Sequence, residues 1–509
     1  MPSSKQFLSF FSAALVIAAV GPVSGAAAQG SQIDWESCAV EDYPTLQCGT
    51  FQVPYDYAKP TGKKFTIAMQ KLPASGTKVG SLFNNPGGPG GEGLTMWQLP
   101  AMRSPSLRES FDLIGFDPRG IGETKPTFDC AANPGVEPPN SPKFDWIKFS
   151  EDWTSANAKA NRACQKKSAD FIAHVGTNDV VRDLDAMRAA VGDSKLTYWG
   201  MSYGTRIGYV YAYRYPKKVR AMILDGSVTP DGSWADFADI RSQSNDGALR
   251  FIRAVSPASY AAVISTRNSL YASKLQLWHG LRMSAYMWLM SVTTGLMPYQ
   301  SKWPEVIDYA HYVSMARIEG PGGAPARDKL RKLLGVVYGT QAAGLNEGAN
   351  EAINCADYAD RPSAGERARI VRNVVSKAPI FGGFQASTMV GGCAGFTFRA
   401  NPVPKIASKA SLARVKDVKL VISDSTADGA TPLVWGRAMA KAFPSASEIT
   451  FEGGQHVNFL TIPTGCVDVP LSSYLVTLTM PRHRTKCIFS APVGLDMGAV
   501  ASRKRSSGW

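Results

Sequence analysis

The sequence predicts an α/β fold, a mostly parallel sheet with helices on both faces and an inserted helical lid. Two observations support this prediction. Short apolar segments alternate with turns and helix-like segments over residues 81–230, and the alternation returns over residues 418–451. Residues 231–415 break the alternation and have a helical pattern instead. Alternating strands and helices are typical of a parallel sheet that is covered on both faces.

The 509 residues divide into four predicted segments. A chain this long exceeds the usual size of one domain, and the insertion accounts for the excess. The segments are a signal peptide (1–28), the first part of the sheet domain (29–230), the helical lid (231–415) and the C-terminal part of the sheet domain (416–509).

The N-terminus has the features of a secretory signal. Lys5 supplies positive charge, residues 7–20 are almost wholly apolar, and Ala26–Ala28 offer small residues for cleavage. A membrane anchor is the alternative, but an apolar run of about 14 residues is shorter than the roughly 20 that span a bilayer. We therefore expect a secreted protein, extracellular or in the periplasm or cell envelope, without a stable membrane span.

Export makes disulfides possible, and the eight cysteines fall into pairs that are adjacent in sequence. Eight cysteines allow 105 pairings, but short loops close most readily, so we predict local bridges. No CxxC spacing is present, and we predict no metal site and no organic cofactor. The predicted bridges are Cys38–Cys48, Cys130–Cys164, Cys355–Cys393 and Cys466–Cys487.

The formal net charge of +14 raises the question of nucleic-acid binding. The charge is dispersed, and only Arg503–Arg505 forms a basic run. The glycine-rich loop at residues 87–91 is not followed by a GKS or GKT ending, which argues against a nucleotide site. We therefore expect no nucleic-acid partner.

The predicted elements follow in chain order. Strands are predicted at Gly49–Val53, Phe65–Lys71, Ser81–Phe83, Phe111–Phe116, Lys195–Trp199, Val219–Leu224, Val418–Ile422 and Glu448–Phe451. Helices are predicted at Asn178–Val191, Gly204–Tyr215, Val263–Met287, Lys302–Glu319, Arg327–Val337 and Pro432–Phe443. The apolar stretch Met283–Tyr299 is too short for a membrane span and is interpreted as a buried or pocket-lining helix.

The motif Gly200-Met201-Ser202-Tyr203-Gly204 lies between a predicted strand and a predicted helix. A nucleophile on such a tight turn needs small neighbours, because the strained backbone crowds them. A serine also needs a base, which in sheet hydrolases follows the last strands. Of the five histidines, His456 has that position, whereas His174 precedes the serine. Ser202 is therefore the predicted nucleophile and His456 the predicted base.

The acid of such a triad lies on the loop after the strand that precedes the histidine strand. Asp424 and Asp428 both lie there, and Asp428 is favoured because it directly precedes a helix that begins with Pro432. The oxyanion needs two N–H donors. The Tyr203 N–H is predicted as one, and the Gly87-Gly88 loop is predicted to supply the other through Gly88.

Five segments in the same order carry a resemblance to a known family: Asn85–Gly90, Gly115–Gly120, Gly200–Thr205, Leu224–Gly226 and Asp428–Pro432. Through them the chain resembles the secreted tripeptidyl aminopeptidases of the α/β-hydrolase fold, relatives of proline iminopeptidases with a TAP-like C-terminal region. The resemblance spans about residues 35–490. It implies a serine exopeptidase that removes short peptides from free N-termini. The group also contains carboxylesterases.

The sequence departs from this family in its glycine loop, where Glu92 replaces a small serine before Gly93. Its acid loop is about one residue longer, which keeps Asp424 as an alternative. An aminopeptidase must bind a free ammonium group, and Glu92, Glu351 and Asp357 are the candidate carboxylates. Residues 231–417 hold 22 Lys and Arg against 14 Asp and Glu. That balance favours a neutral or acidic substrate, or reflects solvated surface alone.

Two functions remain open at this point. The first is a serine exopeptidase that releases tripeptides. The second is a carboxylesterase, or an amide or lactone hydrolase, acting on an apolar small molecule; the aromatic and Met-rich stretch Trp278–Tyr299 motivates it. A non-catalytic protein on the same scaffold is disfavoured by the complete apparent triad. The expected partner is therefore a peptide or a small ester or amide substrate.

Overall fold

The structure is a computed structural model. It describes residues 33–488 except 131–135, 137–139, 142, 279–280, 293–301, 319, 335–346 and 463. The predicted signal peptide, the basic run Arg503–Arg505 and His279 lie outside the described residues, as do the last residues of the predicted helix Arg327–Val337.

A ten-stranded sheet forms the centre of the molecule, and a separate hairpin lies in the insertion. The sheet strands are β1 (Glu36–Ser37), β2 (Gln47–Pro54), β3 (Lys64–Leu72), β4 (Gly80–Asn85), β5 (Phe111–Phe116), β6 (Leu196–Met201), β7 (Val219–Asp225), β10 (Val421–Ser425), β11 (Ser447–Glu452) and β12 (Thr485–Ile488). The hairpin consists of β8 (Leu275–Trp278) and β9 (Leu281–Met283).

The strand order is β1-β2-β3-β5-β4-β6-β7-β10-β11-β12. The seven strands from β5 to β12 pair in parallel, whereas β1, β2 and β3 join antiparallel at one edge. The mostly parallel sheet predicted from the alternating pattern is thus present. Because parallel strands end at the same edge, the loops after β6, β7, β10 and β11 come together there.

The helices cover the sheet and build the insertion. They are α1 (Gln98–Arg103), α2 (Pro105–Ser110), α3 (Trp146–Lys167), α4 (Thr177–Ala190), α5 (Gly204–Arg214), α6 (Trp234–Val255), α7 (Pro257–Ala272), α8 (Ala285–Ser291), α9 (Glu305–Met315), α10 (Ala324–Leu334), α11 (Glu347–Asp357), α12 (Ala364–Lys377), α13 (Gly382–Met389), α14 (Lys409–Val415), α15 (Leu433–Ala442) and α16 (Gly465–Thr477).

Both faces of the central strands are buried. Every residue of β4 and β6 is buried, as expected for parallel strands that are covered on both faces. On β6, Tyr198 belongs to one hydrophobic cluster and the next residue, Trp199, to another. Successive side chains of a strand point to opposite faces, so the two clusters are the cores above and below the sheet.

The insertion has its own hydrophobic cluster, which includes Leu249, Val263, Trp288 and Leu330. The helix predicted over Val263–Met287 is wrong between Ala272 and Ala285, where the chain instead forms the β8–β9 hairpin. The reason is a local change of period, because Leu275 and Leu277 are buried while Gln276 between them is exposed. The insertion boundaries at 231 and 415 stay a prediction.

Four disulfides link Cys38–Cys48, Cys130–Cys164, Cys355–Cys393 and Cys466–Cys487. Each joins the two cysteines that were paired from the sequence. Such bridges indicate an oxidising compartment outside the cytoplasm. Among the helices of the described residues, none combines the length and the apolar character needed to cross a bilayer.

Candidate active site

Ser202 lies on the turn between β6 and α5 with a φ of 54°. A left-handed conformation at a residue other than glycine is strained and is found most often at functional sites. The turn requires its two glycines. A Cβ on Gly204 would lie 2.7 Å from the Asn85 carbonyl oxygen, and one on Gly200 would overlap the Gly204 carbonyl. The sharp turn lifts the serine above the end of the sheet.

His456 lies on the loop after β11, and its Nδ1 is 2.7 Å from Oδ2 of Asp428. The Asp428 side chain is 1% exposed and accepts two further N–H bonds, from Ala430 at 2.7 Å and from Thr431 at 2.9 Å. The Thr431 hydroxyl also donates to Asp428 Oδ2 at 2.7 Å. The carboxylate is therefore held in one orientation, with its Oδ2 facing the imidazole.

The alternative acid, Asp424, is buried and is hydrogen-bonded to Ser227 instead of His456. Its carboxylate accepts the Ser227 N–H at 2.7 Å and the Ser227 hydroxyl at 3.3 Å. Burial raises the pKa of Asp424 well above its ordinary value, although the N–H bond opposes the rise. Of the two acids left open by the sequence, the structure brings only Asp428 to the histidine.

Burial alone lowers the pKa of His456, but the charge of Asp428 and its hydrogen bond raise it by more. Arg241 lowers the pKa further and Asp225 raises it, and the net pKa lies above the ordinary value of 6.5. An imidazole hydrogen-bonded through Nδ1 to a carboxylate keeps its other nitrogen free to accept a proton from a serine.

We expect kcat/KM to rise with pH with a midpoint above 6.5, because only the neutral His456 can accept the serine proton. A pH series of kcat/KM reports the pKa of this base in the free enzyme. In Asp428→Asn the midpoint is expected to fall, because the carboxylate that raises the pKa of His456 is removed. A midpoint that does not respond to this substitution would contradict the assignment of His456 as the base.

The glycine loop after β4 packs directly on the serine turn. A Cβ on Gly87, whose φ is 102°, would lie 2.8 Å from the Ser202 Cβ and 3.0 Å from the Tyr203 nitrogen. The Gly87 N–H donates to the Asn85 side chain at 3.0 Å. Within the described residues, neither the Gly88 N–H nor the Tyr203 N–H donates to a protein acceptor. These are the two N–H groups that the sequence predicts for the oxyanion.

Asp225, at the end of β7, ties the serine turn to the histidine loop. Its carbonyl accepts the Ser202 N–H at 2.9 Å, and its carboxylate accepts the N–H groups of Asn458 at 3.0 Å and Phe459 at 2.9 Å. In the described residues, no hydrogen bond joins Ser202 Oγ to His456. Such bonds are often loose without substrate and tighten when it binds.

A buried network lies beneath the serine turn. The Tyr203 hydroxyl is 2.7 Å from the Thr177 hydroxyl, which lies 2.5 Å from Asp357 Oδ2. Arg206 forms a salt bridge with the same Asp357 oxygen at 2.9 Å and also donates to Asn354. Asp357 is wholly buried, so the structure contradicts its predicted role as an ammonium-binding carboxylate. Its partners are those of a structural anchor.

The other two candidate carboxylates differ in accessibility. Glu351, on α11, accepts hydrogen bonds from the Asn157 side chain at 3.0 and 3.3 Å. Glu92 is exposed on the loop that continues from the glycines. Partial burial and the nearby carboxylates of Asp117 and Glu123 raise the pKa of Glu92. Of the three predicted carboxylates, Glu92 is the exposed one beside the glycine loop.

Thr431 and Asp225, which contact the proposed triad and the serine turn, were not predicted from the sequence. Both lie in segments noted for the resemblance, but a capping signal would not have found Thr431, because its hydroxyl donates to Asp428 and does not cap α15. Its contact with the triad acid was not foreseen. Among the described residues, no group of three or more His, Cys, Asp or Glu side chains is arranged to hold a metal ion.

Comparisons with known proteins agree with this geometry. A family model for the α/β hydrolase fold matches residues 81–463. The chain is 29% identical to the serine protease Hip1 of Mycobacterium tuberculosis over 500 residues, 90% of this chain and 91% of that protein. It is 36% identical to the tripeptidyl aminopeptidase of Streptomyces coelicolor over 249 residues, 43% of this chain and 45% of that protein.

A third relative broadens the range of activities. The chain is 28% identical to carboxylesterase B of Mycobacterium tuberculosis over 502 residues, 92% of each chain. The residues matched by the family model include Ser202, Asp428 and His456. The chain therefore belongs to the α/β-hydrolase family and is a serine hydrolase.

Proposed function

We propose that the protein is an exported serine exopeptidase that releases short peptides, tripeptides in particular, from free N-termini. The observation that carries this proposal is the 2.7 Å bond from His456 to Asp428 at the sheet edge that also bears Ser202. In this proposal Ser202 is the nucleophile, His456 the base and Asp428 the acid. The disulfides and the predicted signal peptide support export.

The proposed chemistry follows from the positions of these groups. Ser202 Oγ attacks the scissile carbonyl while His456 takes its proton, and the oxygen that becomes negative receives the N–H groups of Gly88 and Tyr203. The protonated imidazole then gives the proton to the leaving amine, and the acyl-enzyme remains. Water, deprotonated by His456, hydrolyses the ester and frees Ser202. Asp428 stabilises the charged imidazole at each stage.

The exopeptidase assignment rests on two further observations. The relatives include a protease aligned along nearly the whole chain and a tripeptidyl aminopeptidase aligned along part of it. Glu92 supplies an exposed carboxylate beside the glycine loop, where a substrate ammonium group can pair with it. We therefore propose Glu92 as the residue that recognises the free N-terminus.

The second candidate is a carboxylesterase, and the full-length similarity to carboxylesterase B favours it. The sequence feature that suggested an apolar substrate is the aromatic and Met-rich stretch Trp278–Tyr299. In that stretch, Trp288 and Leu289 are buried in the cluster of the insertion itself. These two side chains are used for packing, which weakens the esterase alternative.

Tripeptide anilides with free N-termini are expected to be hydrolysed at least tenfold faster than their N-acetylated forms, because acetylation removes the ammonium charge. Glu92→Gln is expected to erase most of this preference. Glu123→Gln is the matched control, since Glu123 is a neighbouring carboxylate that is 75% exposed. Rapid hydrolysis of short acyl esters without any anilide cleavage would reject the exopeptidase in favour of the esterase.

A further inference from the structure

Arg241, on α6, is a cation near the proposed triad that has no partner within the described residues. Its Nε is buried and donates no hydrogen bond, and its guanidinium forms no salt bridge in the described part of the chain. Two carboxylates of the same helix, by contrast, have partners. Asp239 pairs with Lys377 at 2.7 Å, and Asp246 accepts the N–H groups of residues 380 and 381.

The position of α6 brings Arg241 to the acid loop. The Ser244 hydroxyl donates to the Asp428 carbonyl at 2.7 Å. Asn245 packs so closely on Gly429 that a Cβ there would lie 2.5 Å from its Oδ1. Arg241 precedes these two residues by three and four positions, so all three share one face of the helix. That face lies on the loop that carries the triad acid.

The charge of Arg241 reaches both members of the Asp428–His456 pair. Burial lowers the pKa of Arg241, and the Asp428 carboxylate partly offsets that effect. Arg241 is in turn one of the charges that lower the pKa of His456. A guanidinium stays protonated at any physiological pH, so a permanent positive charge lies beside the base.

A partly buried cation without a partner is unfavourable, and an anion that binds to it offsets the lost hydration. The guanidinium fork matches a carboxylate in geometry, because two parallel N–H groups meet two oxygens. In the proposed mechanism His456 protonates the leaving group, and Arg241 lies on the helix face that contacts the acid loop of this base.

We propose that Arg241 binds a carboxylate on the leaving-group side of the scissile bond. This inference rests on the proposed function and specifies its substrate class. The preferred substrates are short peptides whose own C-terminal carboxylate lies close to the cleaved bond. Residues 231–417 contain more basic residues (22) than acidic residues (14), which agrees with an anionic substrate.

The test compares two tetrapeptides of alanine that differ only at the C-terminus, one a free carboxylate and the other a carboxamide. Both carry the same N-terminal ammonium and the same scissile bond. The wild-type enzyme is expected to favour the carboxylate about 10- to 100-fold in kcat/KM. Arg241→Gln is expected to abolish that preference, because it lowers kcat/KM for the carboxylate far more than kcat/KM for the carboxamide. Arg241→Lys is expected to retain part of it, because it keeps the charge without the fork.

Arg250→Gln is the matched control, because it removes an exposed charge from the same helix. Acetate esters of 3-hydroxybenzoate and of its carboxamide repeat the comparison with an ester bond. Absence of peptide cleavage with active ester hydrolysis rejects the exopeptidase, and the ester pair then tests Arg241 alone. Equal rates for the two members of a pair in the wild type, or an equal loss for both in Arg241→Gln, would overturn the inference.

Discussion

Ser202→Ala is expected to lower kcat by about 10⁴- to 10⁶-fold, the loss typical of a serine hydrolase without its nucleophile. The folded state is expected to change little. Alanine differs from serine only by the hydroxyl, and both residues bear the same strain at a φ of 54°. The residual rate would come from the oxyanion donors and from substrate binding. Initial rates with an anilide or ester substrate, whichever is turned over, measure the effect.

Ser376→Ala provides the matched control for this loss. Ser376 lies exposed on α12 and donates to the Asn373 carbonyl, far in sequence from the serine turn. The same chemical change at this position is expected to leave kcat within twofold. Because triad members act as a unit, adding His456→Ala to Ser202→Ala is expected to cost little more. Wild-type turnover by Ser202→Ala would disprove the proposed mechanism.

Asp357→Asn is expected to destabilise the fold by about 3–5 kcal/mol, the usual cost of breaking a buried ion pair by removing one partner. The charge of Arg206 would stay buried. Among the described residues, the side-chain oxygen of Asn354 would be its remaining hydrogen-bond acceptor. Thr177 would lose its anionic acceptor, and Tyr203 would lose its support. The midpoint of urea unfolding measures the loss of stability, and kcat measures the effect on the serine turn through Tyr203.

This result separates a buried anchor from a substrate carboxylate. If Asp357 held the substrate ammonium, Asp357→Asn would reduce the preference for free over acetylated N-termini. As an anchor, it is expected to lower stability and kcat while leaving that preference intact. Asp152→Asn is the control, because Asp152 belongs to an exposed i,i+4 pair with Lys148 whose loss costs little. An unchanged unfolding midpoint in Asp357→Asn would contradict the anchor.

Much of the sheet could be predicted because its strands combine apolar runs with strong turn signals. Each strand predicted from the sequence is present, with ends shifted by at most three residues. The helix α3 was not predicted, since its buried positions include Asn157 and Asn161. These asparagines donate to the Gly392 carbonyl, which is distant in sequence, so the helical face carries no continuous apolar stripe.

The proposed triad could be predicted because its serine, acid and histidine follow one another along the chain in the order typical of sheet hydrolases. The nucleophile motif, the late histidine and the acid before a proline-led helix all carry local signals. The sequence favours Asp428 over Asp424 but does not exclude Asp424, because the choice depends on which carboxylate faces the imidazole in three dimensions. Asp357 was wrongly predicted to bind the substrate ammonium for the same reason. Its carboxylate is buried against Arg206, which lies 151 positions earlier in the sequence.

That distance bears on the biosynthesis of the enzyme. The serine turn at residue 202 emerges from the ribosome well before Asp357, which neutralises the arginine beneath it, and before Asp428 and His456. A nascent chain that ends before residue 357 therefore has Arg206 without its carboxylate partner, and it also lacks His456, the proposed base. In the proposed mechanism, hydrolysis becomes possible only when the last strands have been synthesised, so an incomplete chain carries the serine motif in an inactive form.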